Sequence, residues 1–301
     1  MISKCEIKML NAIRNHWPEY LIEAWGLGTF MVSACVFGVL LFHPDSYLAG
    51  YGVIFRNVLM GVAMGMTAMA IFKSPWGKRS GAHINPVVTL TFLRLGKISR
   101  PDAVMYVAAQ FVGGMSGVLL SWLILEERLE AREVNFVATV PGVYGVLAAF
   151  AGELTIAFVM MSVVLVTSNH RILYKYTPIF AGLLVAIYIP VVSPISGMSM
   201  NPARTFSSAV AGNTWNAVWI YFIAPSIAML GAAEVYVRAK GSKAVLCAKF
   251  DHSGKSRCIF NCRFDDIGIY QRGNEFREVK AAENIEDRND LHDVDAVARL
   301  S

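Results

Sequence analysis

Six stretches of the chain are apolar with few interruptions, each long or nearly long enough to cross a bilayer as a helix. They lie near Leu21–Phe42, Val53–Phe72, Ala103–Leu125, Val143–Val166, Pro178–Val192 and Ala217–Val237. A spanning helix needs about 20 mainly apolar residues. The fifth stretch is short and runs into Pro190, Pro194, Ser196 and Gly197, while the sixth contains Pro225. Proline is tolerated in a membrane helix when neighbours satisfy the freed carbonyl. The pattern predicts an all-α membrane protein.

Charge sets the expected orientation. Lys73, Lys78, Arg79, Arg94, Lys97 and Arg100 lie between the second and third stretches, Arg171 and Lys175 between the fourth and fifth, and Arg238, Lys240 and Lys243 after the sixth. The link after the first stretch offers only Asp45. The link after the third holds Glu126, Glu127, Glu130 and Glu133 against Arg128 and Arg132. Cationic links stay on the cytoplasmic side, so both termini are expected there, in a plasma or inner membrane. The first 19 residues read as a cytoplasmic lead-in with an amphipathic turn or two, not as a signal peptide. Residues 241–301 read as a polar, flexible cytoplasmic tail. Composition agrees: 55% of the 301 residues are hydrophobic and 16% charged, against roughly a quarter charged in soluble domains. The net charge of +5 needs no nucleic acid to explain it, because membrane proteins concentrate Lys and Arg in such links.

Two segments between the spans carry the candidate chemistry. Ser80-Gly81-Ala82-His83-Ile84-Asn85-Pro86-Val87 and Ser196-Gly197-Met198-Ser199-Met200-Asn201-Pro202-Ala203 share the pattern S-G-x-x-x-N-P, with the asparagines 116 positions apart. Each is followed by about ten moderately apolar residues, enough for half a bilayer. Approaching from opposite sides, they predict an inverted repeat, over about 20–125 and 143–238, whose re-entrant half-helices meet at the midplane. Asn is a strong N-cap, and Pro at the next position costs no backbone bond. Capped in this way, Asn85 and Asn201 would aim amide donors and two positive helix ends into a cavity. Such a site holds a water or hydroxyl oxygen and repels cations and protons. Glu23 and Glu153 sit at equivalent places in the first and fourth spans. A carboxylate there faces the bundle interior with a partner. It serves as a proton relay or, as the duplication favours, as an anchor for the backbone N–H groups of a re-entrant loop.

At these residues the chain resembles the aquaporin (major intrinsic protein) family, over roughly 20–238. The resemblance extends to Tyr106-x-x-Ala109-Gln110-x-x-Gly113-x-x-x-Gly117 in the third span and Trp219-x-Tyr221-x-x-x-Pro225 in the sixth. It implies a right-handed bundle of six helices and two half-helices, one pore per subunit, and a homotetramer. The first motif departs from the family's usual Asn-Pro-Ala in having Val87. Arg204 matches the family's filter arginine. Ile189 stands where water-selective members carry His, Met198 lies in the loop before Asn201, and Met64 or Gly65 takes the second-span position. Thr205 replaces the Asp usual in the glycerol-conducting branch. The expected function is passive permeation of water, with glycerol, urea or hydrogen peroxide as further candidates, excluding ions. A secondary transporter would need charged groups at the broken helices, and a non-conducting scaffold would share the fold. No catalytic constellation converges on the spans, and no cofactor is expected. His83 is open to three readings: a pore-lining donor, a pH-sensitive element or a structural hydrogen-bonder. In the tail, Cys247, His252, Cys258 and Cys262 fit no standard zinc spacing and read as solvated, reduced thiols.

Overall fold

The computed structural model describes residues 4–254 and 256–266. Among the described residues the regular structure is all helical, with α-helices in the order α1 (Lys4–Phe42), α2 (Val53–Lys73), α3 (Pro75–Ser80), α4 (Pro86–Arg94), α5 (Arg100–Leu125), α6 (Glu127–Glu130), α7 (Gly145–Ser168), α8 (Thr177–Ser196), α9 (Pro202–Ala211) and α10 (Ile220–Lys240). Six of these, α1, α2, α5, α7, α8 and α10, are long and apolar enough to cross a membrane. The half-helices α4 and α9 are 9 and 10 residues long, about 14–15 Å at 1.5 Å per residue, or half of a hydrocarbon core.

The helices pack through glycine. A β-carbon on Gly113 of α5 would fall on the Ala24 backbone of α1, and one on Gly117 on that of Gly28. In the second contact, Gly61 and Gly65 of α2 lie against the carbonyls of Ala186 and Gly182 in α8. Small residues let helix backbones approach closely where lipid offers no hydrophobic drive to association. Outward faces carry apolar residues such as Val62, Met66, Val112, Leu123, Ile187 and Ile227, all exposed, as a lipid-facing surface requires.

The first 19 residues depart from the expected lead-in. Helix α1 begins at Lys4 and continues through Pro18 for 39 residues, about 58 Å and nearly twice the hydrocarbon thickness. Its polar residues have partners that the sequence does not reveal. Asp102, at the start of α5, accepts from Tyr20 Oη (2.7 Å) and pairs with His16 Nδ1 (2.6 Å), and Glu19, fully buried, pairs with Arg79 Nε at 3.0 Å.

The flexible-tail expectation fails from its boundary at 241 as far as Cys262. The compact unit of the helices runs to Cys262, and every residue from Ala244 to Asp251 is buried. This stretch is anchored by the Asn169 side chain, whose Oδ1 accepts from Leu246 N at 2.7 Å, and by Asp251, which pairs with Lys78 at 3.4 Å. Residues 267–301, the rest of that tail, lie outside the described residues.

Candidate functional site

Two loops with the same backbone conformation approach each other between the half-helices. Gly81, Ala82 and Ile84 have positive φ, and so do Gly197, Met198 and Met200, at the same three places of each motif. The glycines are needed twice over. They end α3 and α8 in the left-handed region, and a β-carbon on Gly197 would come within 3.0 Å of Thr139 and Val140 backbone.

Of the remaining left-handed residues, Ala82 and Met198 donate to the motif serines Ser80 and Ser196, and Ile84 and Met200 to buried carboxylates. Glu23 Oε1 accepts from Ser80 Oγ (2.8 Å) and His83 N (3.1 Å), and its Oε2 accepts from Ile84 N (2.7 Å) and Gln110 Nε2 (2.8 Å). Glu153 Oε1 accepts from Ser196 Oγ (2.7 Å) and Ser199 N (2.9 Å), and its Oε2 from Met200 N (2.6 Å). Tyr106 and Tyr221 complete the symmetry by donating to the carbonyls of Ser80 and Ser196. The motif serines and these tyrosines hold the loops in place. Their roles show only once the fold brings them together.

Asn85 caps α4, its Oδ1 accepting from Val87 N at 2.9 Å, and Asn201 caps α9, its Oδ1 accepting from Ala203 N at 3.1 Å and Arg204 N at 3.3 Å. The amide nitrogens then cross between loops. Asn85 Nδ2 donates to Met200 O and Asn201 Nδ2 donates to Ile84 O, both at 2.8 Å. An amide has two N–H donors, so each asparagine staples the opposite loop with one and keeps the other. Both residues line a single cavity of about 330 Å³ that reaches from Phe42 and Glu133 at one end to Phe72 and Phe250 at the other. Pro86, Val87, Pro202 and Ala203 are buried behind them. Val87, 1% exposed, is not part of the cavity lining. Val87→Ala should therefore leave permeability unchanged and lower stability by about 1 kcal/mol, the usual cost of trimming a buried aliphatic side chain. Parallel flux and thermal-unfolding measurements check both halves.

Arg204, Ile189 and Met198 line the cavity together. Among the described residues Arg204 Nη1 is buried without a hydrogen-bond partner. The α2 position needs correction. Gly65 faces α8 and makes no part of the cavity wall, whereas Met60, Met64 and Ala68 do line it. Gly61 meets Ala186 and Pro190, and Gly65 meets Gly182 and Ala186. Ile189 therefore lies level with Met60, and Met64 sits about one helical turn deeper.

His83 lines the cavity, yet both ring nitrogens have protein partners. Nε2 lies 2.9 Å from Ala248 O and Nδ1 3.1 Å from Thr89 Oγ1. A carbonyl only accepts, so Nε2 carries the proton and Nδ1 is left as the acceptor. The ring stacks between Phe92 and Phe260, with centroids at 5.2 and 5.4 Å. Ala248, Phe250 and Phe260 had no place in the sequence reading of this site.

The family model for major intrinsic proteins matches residues 11–236. Aquaporin NIP2-3 of Zea mays is 35% identical over 176 residues, 58% of this chain and 56% of that protein. Aquaporin NIP6-1 of Arabidopsis thaliana is 33% identical over 187 residues, 61% of this chain and 59% of that protein. The chain thus spans less than two thirds of the length of these two relatives. The X-ray structure of the aquaglyceroporin from Plasmodium falciparum superposes with a TM-score of 0.60 at 19% identity, covering 75% of this chain and 98% of that one. At that identity the likeness concerns the fold. With the family match extending over well more than half of its length, the chain belongs to the major intrinsic protein family, the aquaporin channels.

Proposed function

We propose that the protein is a passive channel, not an enzyme or an ion-coupled transporter, for water and for small uncharged solutes such as glycerol, urea or hydrogen peroxide. One observation carries this reading: a single cavity, lined by Asn85, Asn201 and Arg204, runs past both loops from Phe42 and Glu133 to Phe72 and Phe250. The asparagines keep one amide donor each for a passing oxygen, and the unpartnered Nη1 of Arg204 offers a third. Two helix N-termini and a guanidinium in one narrow path disfavour protons and cations. The rest of the constriction, Met60, Ile189 and Met198 with Met64 below, is apolar and flexible. It lacks the bulk and the donor that an imidazole in place of Ile189 would supply, so solutes with carbon can share the path with water. Glu23 and Glu153 hold the loops and take no part in proton transfer, since every oxygen is occupied by donors. The cationic links support a topology with both chain ends in the cytoplasm, in a plasma or inner membrane, and a homotetramer is the assembly that the family resemblance implies.

Stopped-flow swelling of proteoliposomes tests the reading. The native chain should conduct water and at least one of glycerol and urea without saturation and without a proton or sodium gradient. Ile189→His should cut glycerol or urea flux about tenfold while changing water flux less than threefold, because one narrowed, polar contact is worth about 1–2 kcal/mol of discrimination. Permeability equal to that of empty liposomes would overturn the proposal.

A further inference from the structure

We propose that Cys247, His252, Cys258 and Cys262 form a tetrahedral site for a zinc-class divalent ion, which fastens residues 245–262 against one end of the pore. Their ligand atoms all lie within 4.8 Å of one another. Cys247 Sγ is 3.5 Å from Cys258 Sγ, and His252 Nε2 is 3.1 Å from Cys262 Sγ. A tetrahedral zinc with bonds of about 2.3 Å to sulfur and 2.0 Å to nitrogen sets ligand-to-ligand edges of about 3.5–3.8 Å, and three Cys with one His is a standard structural set. The spacing, C-x4-H-x5-C-x3-C, is unfamiliar because the ligands come from an irregular loop and not from two tight knuckles. Cys247 is buried and the other three half-buried, which corrects the reading of them as solvated thiols.

Two further observations point to an ion. Residues 245–262 contain no helix or strand among the described residues, yet Val245–Asp251 are buried. With no backbone ladder of its own, this chain is held only by scattered bonds such as those to Asn169 and Lys78, and metal binding, which couples directly to folding, would add a cross-link. Lys249 is 3% exposed. Its ammonium donates to the carbonyls of Ser256 and Arg257 and forms no ion pair among the described residues. A buried cation requires compensating charge. Three thiolates and one divalent ion leave the site at −1, which provides it in the same loop, with the three thiol protons released to solvent on binding.

The segment so fastened meets the pore. Phe250 lines the cavity and packs on Phe72 with centroids 5.2 Å apart, Ala248 O accepts from His83, and Phe260 stacks on that ring. Ion occupancy therefore sets how firmly this end of the path is held closed, a consequence that rests on the channel reading.

The test uses the full chain, purified without chelators and equilibrated with zinc. Elemental analysis should give about one zinc per chain, and cobalt substitution should give the visible bands of a tetrahedral thiolate site. Cys258→Ser with Cys262→Ser should abolish both. As a check that does not depend on a variant's folding, chelation of the native protein should expose the buried Lys249 to trypsin and raise solute flux in proteoliposomes severalfold. No bound zinc, zinc retained by the double variant, or a Cys247–Cys258 disulfide in its place would overturn the site. Chelation that frees the segment but leaves an already measurable flux unchanged would overturn the closure. Absence of flux in every state would instead count against the channel reading.

Discussion

Glu153→Gln lowers stability by about 3 kcal/mol, although the side chain keeps its size and loses only an oxygen and a charge. The carboxylate gives two acceptors, and both are in use: Oε1 by Ser196 Oγ and Ser199 N, Oε2 by Met200 N. A glutamine keeps one acceptor and presents an NH2 group at the other place, so one backbone N–H faces a donor in a dry interior. A buried, unsatisfied donor costs about 1–3 kcal/mol, and loss of charge-assisted bonds adds a similar amount. Met200 cannot turn away, because its carbonyl is the acceptor for Asn85 Nδ2. Glu23→Gln strands Ile84 N in the same way, while Gln110 can rotate its amide to present Oε1, which is now unpartnered. Both variants should show lower thermal midpoints in detergent and reduced flux. The pair should be non-additive, because Asn85 and Asn201 staple each loop to the other and coupled sites share their losses. An unchanged midpoint for Glu153→Gln would remove the anchoring role.

Gly113→Leu prevents the bundle from closing, and little folded protein should be recovered. The α-carbon of Gly113 lies so close to α1 that even a methyl group would overlap the backbone of Ala24, and Gly117 stands in the same relation to Gly28. Overpacking a tight site costs about 1–3 kcal/mol when side chains can adjust. Here the obstacle is backbone, so the helices themselves must separate, and the carboxylate of Glu23, one residue before Ala24, is drawn away from the loop it anchors. Gly231→Leu is the matched control, since a β-carbon there meets nothing within 4 Å. Size-exclusion profiles and thermal midpoints should separate the two substitutions clearly. Equal recovery would show that the α1–α5 approach is adjustable.

What the sequence by itself determined is what depends on short stretches of chain. Six apolar lengths set six spans, because the bilayer demands that each satisfy its own backbone. The repeated Asn-Pro pairs set where α4 and α9 begin, because capping involves only three or four consecutive residues. The duplicated motif and the paired Glu23 and Glu153 pointed to an inverted repeat, since an internal duplication is visible without coordinates. Tertiary structure decided whatever depends on how distant elements sit side by side. Counting along α2 cannot tell that Met60, and not Gly65, stands level with Ile189, because that level is set by where the glycines of α2 meet the backbone of α8. The polar residues of the first 19 positions looked like a lead-in until Asp102 and Arg79 supplied their partners. His83 stayed ambiguous until Ala248, 165 residues away, took one of its nitrogens. The four ligands of the Cys-His cluster become neighbours only when an irregular segment folds back on the bundle, a long-range closure that no local periodicity records.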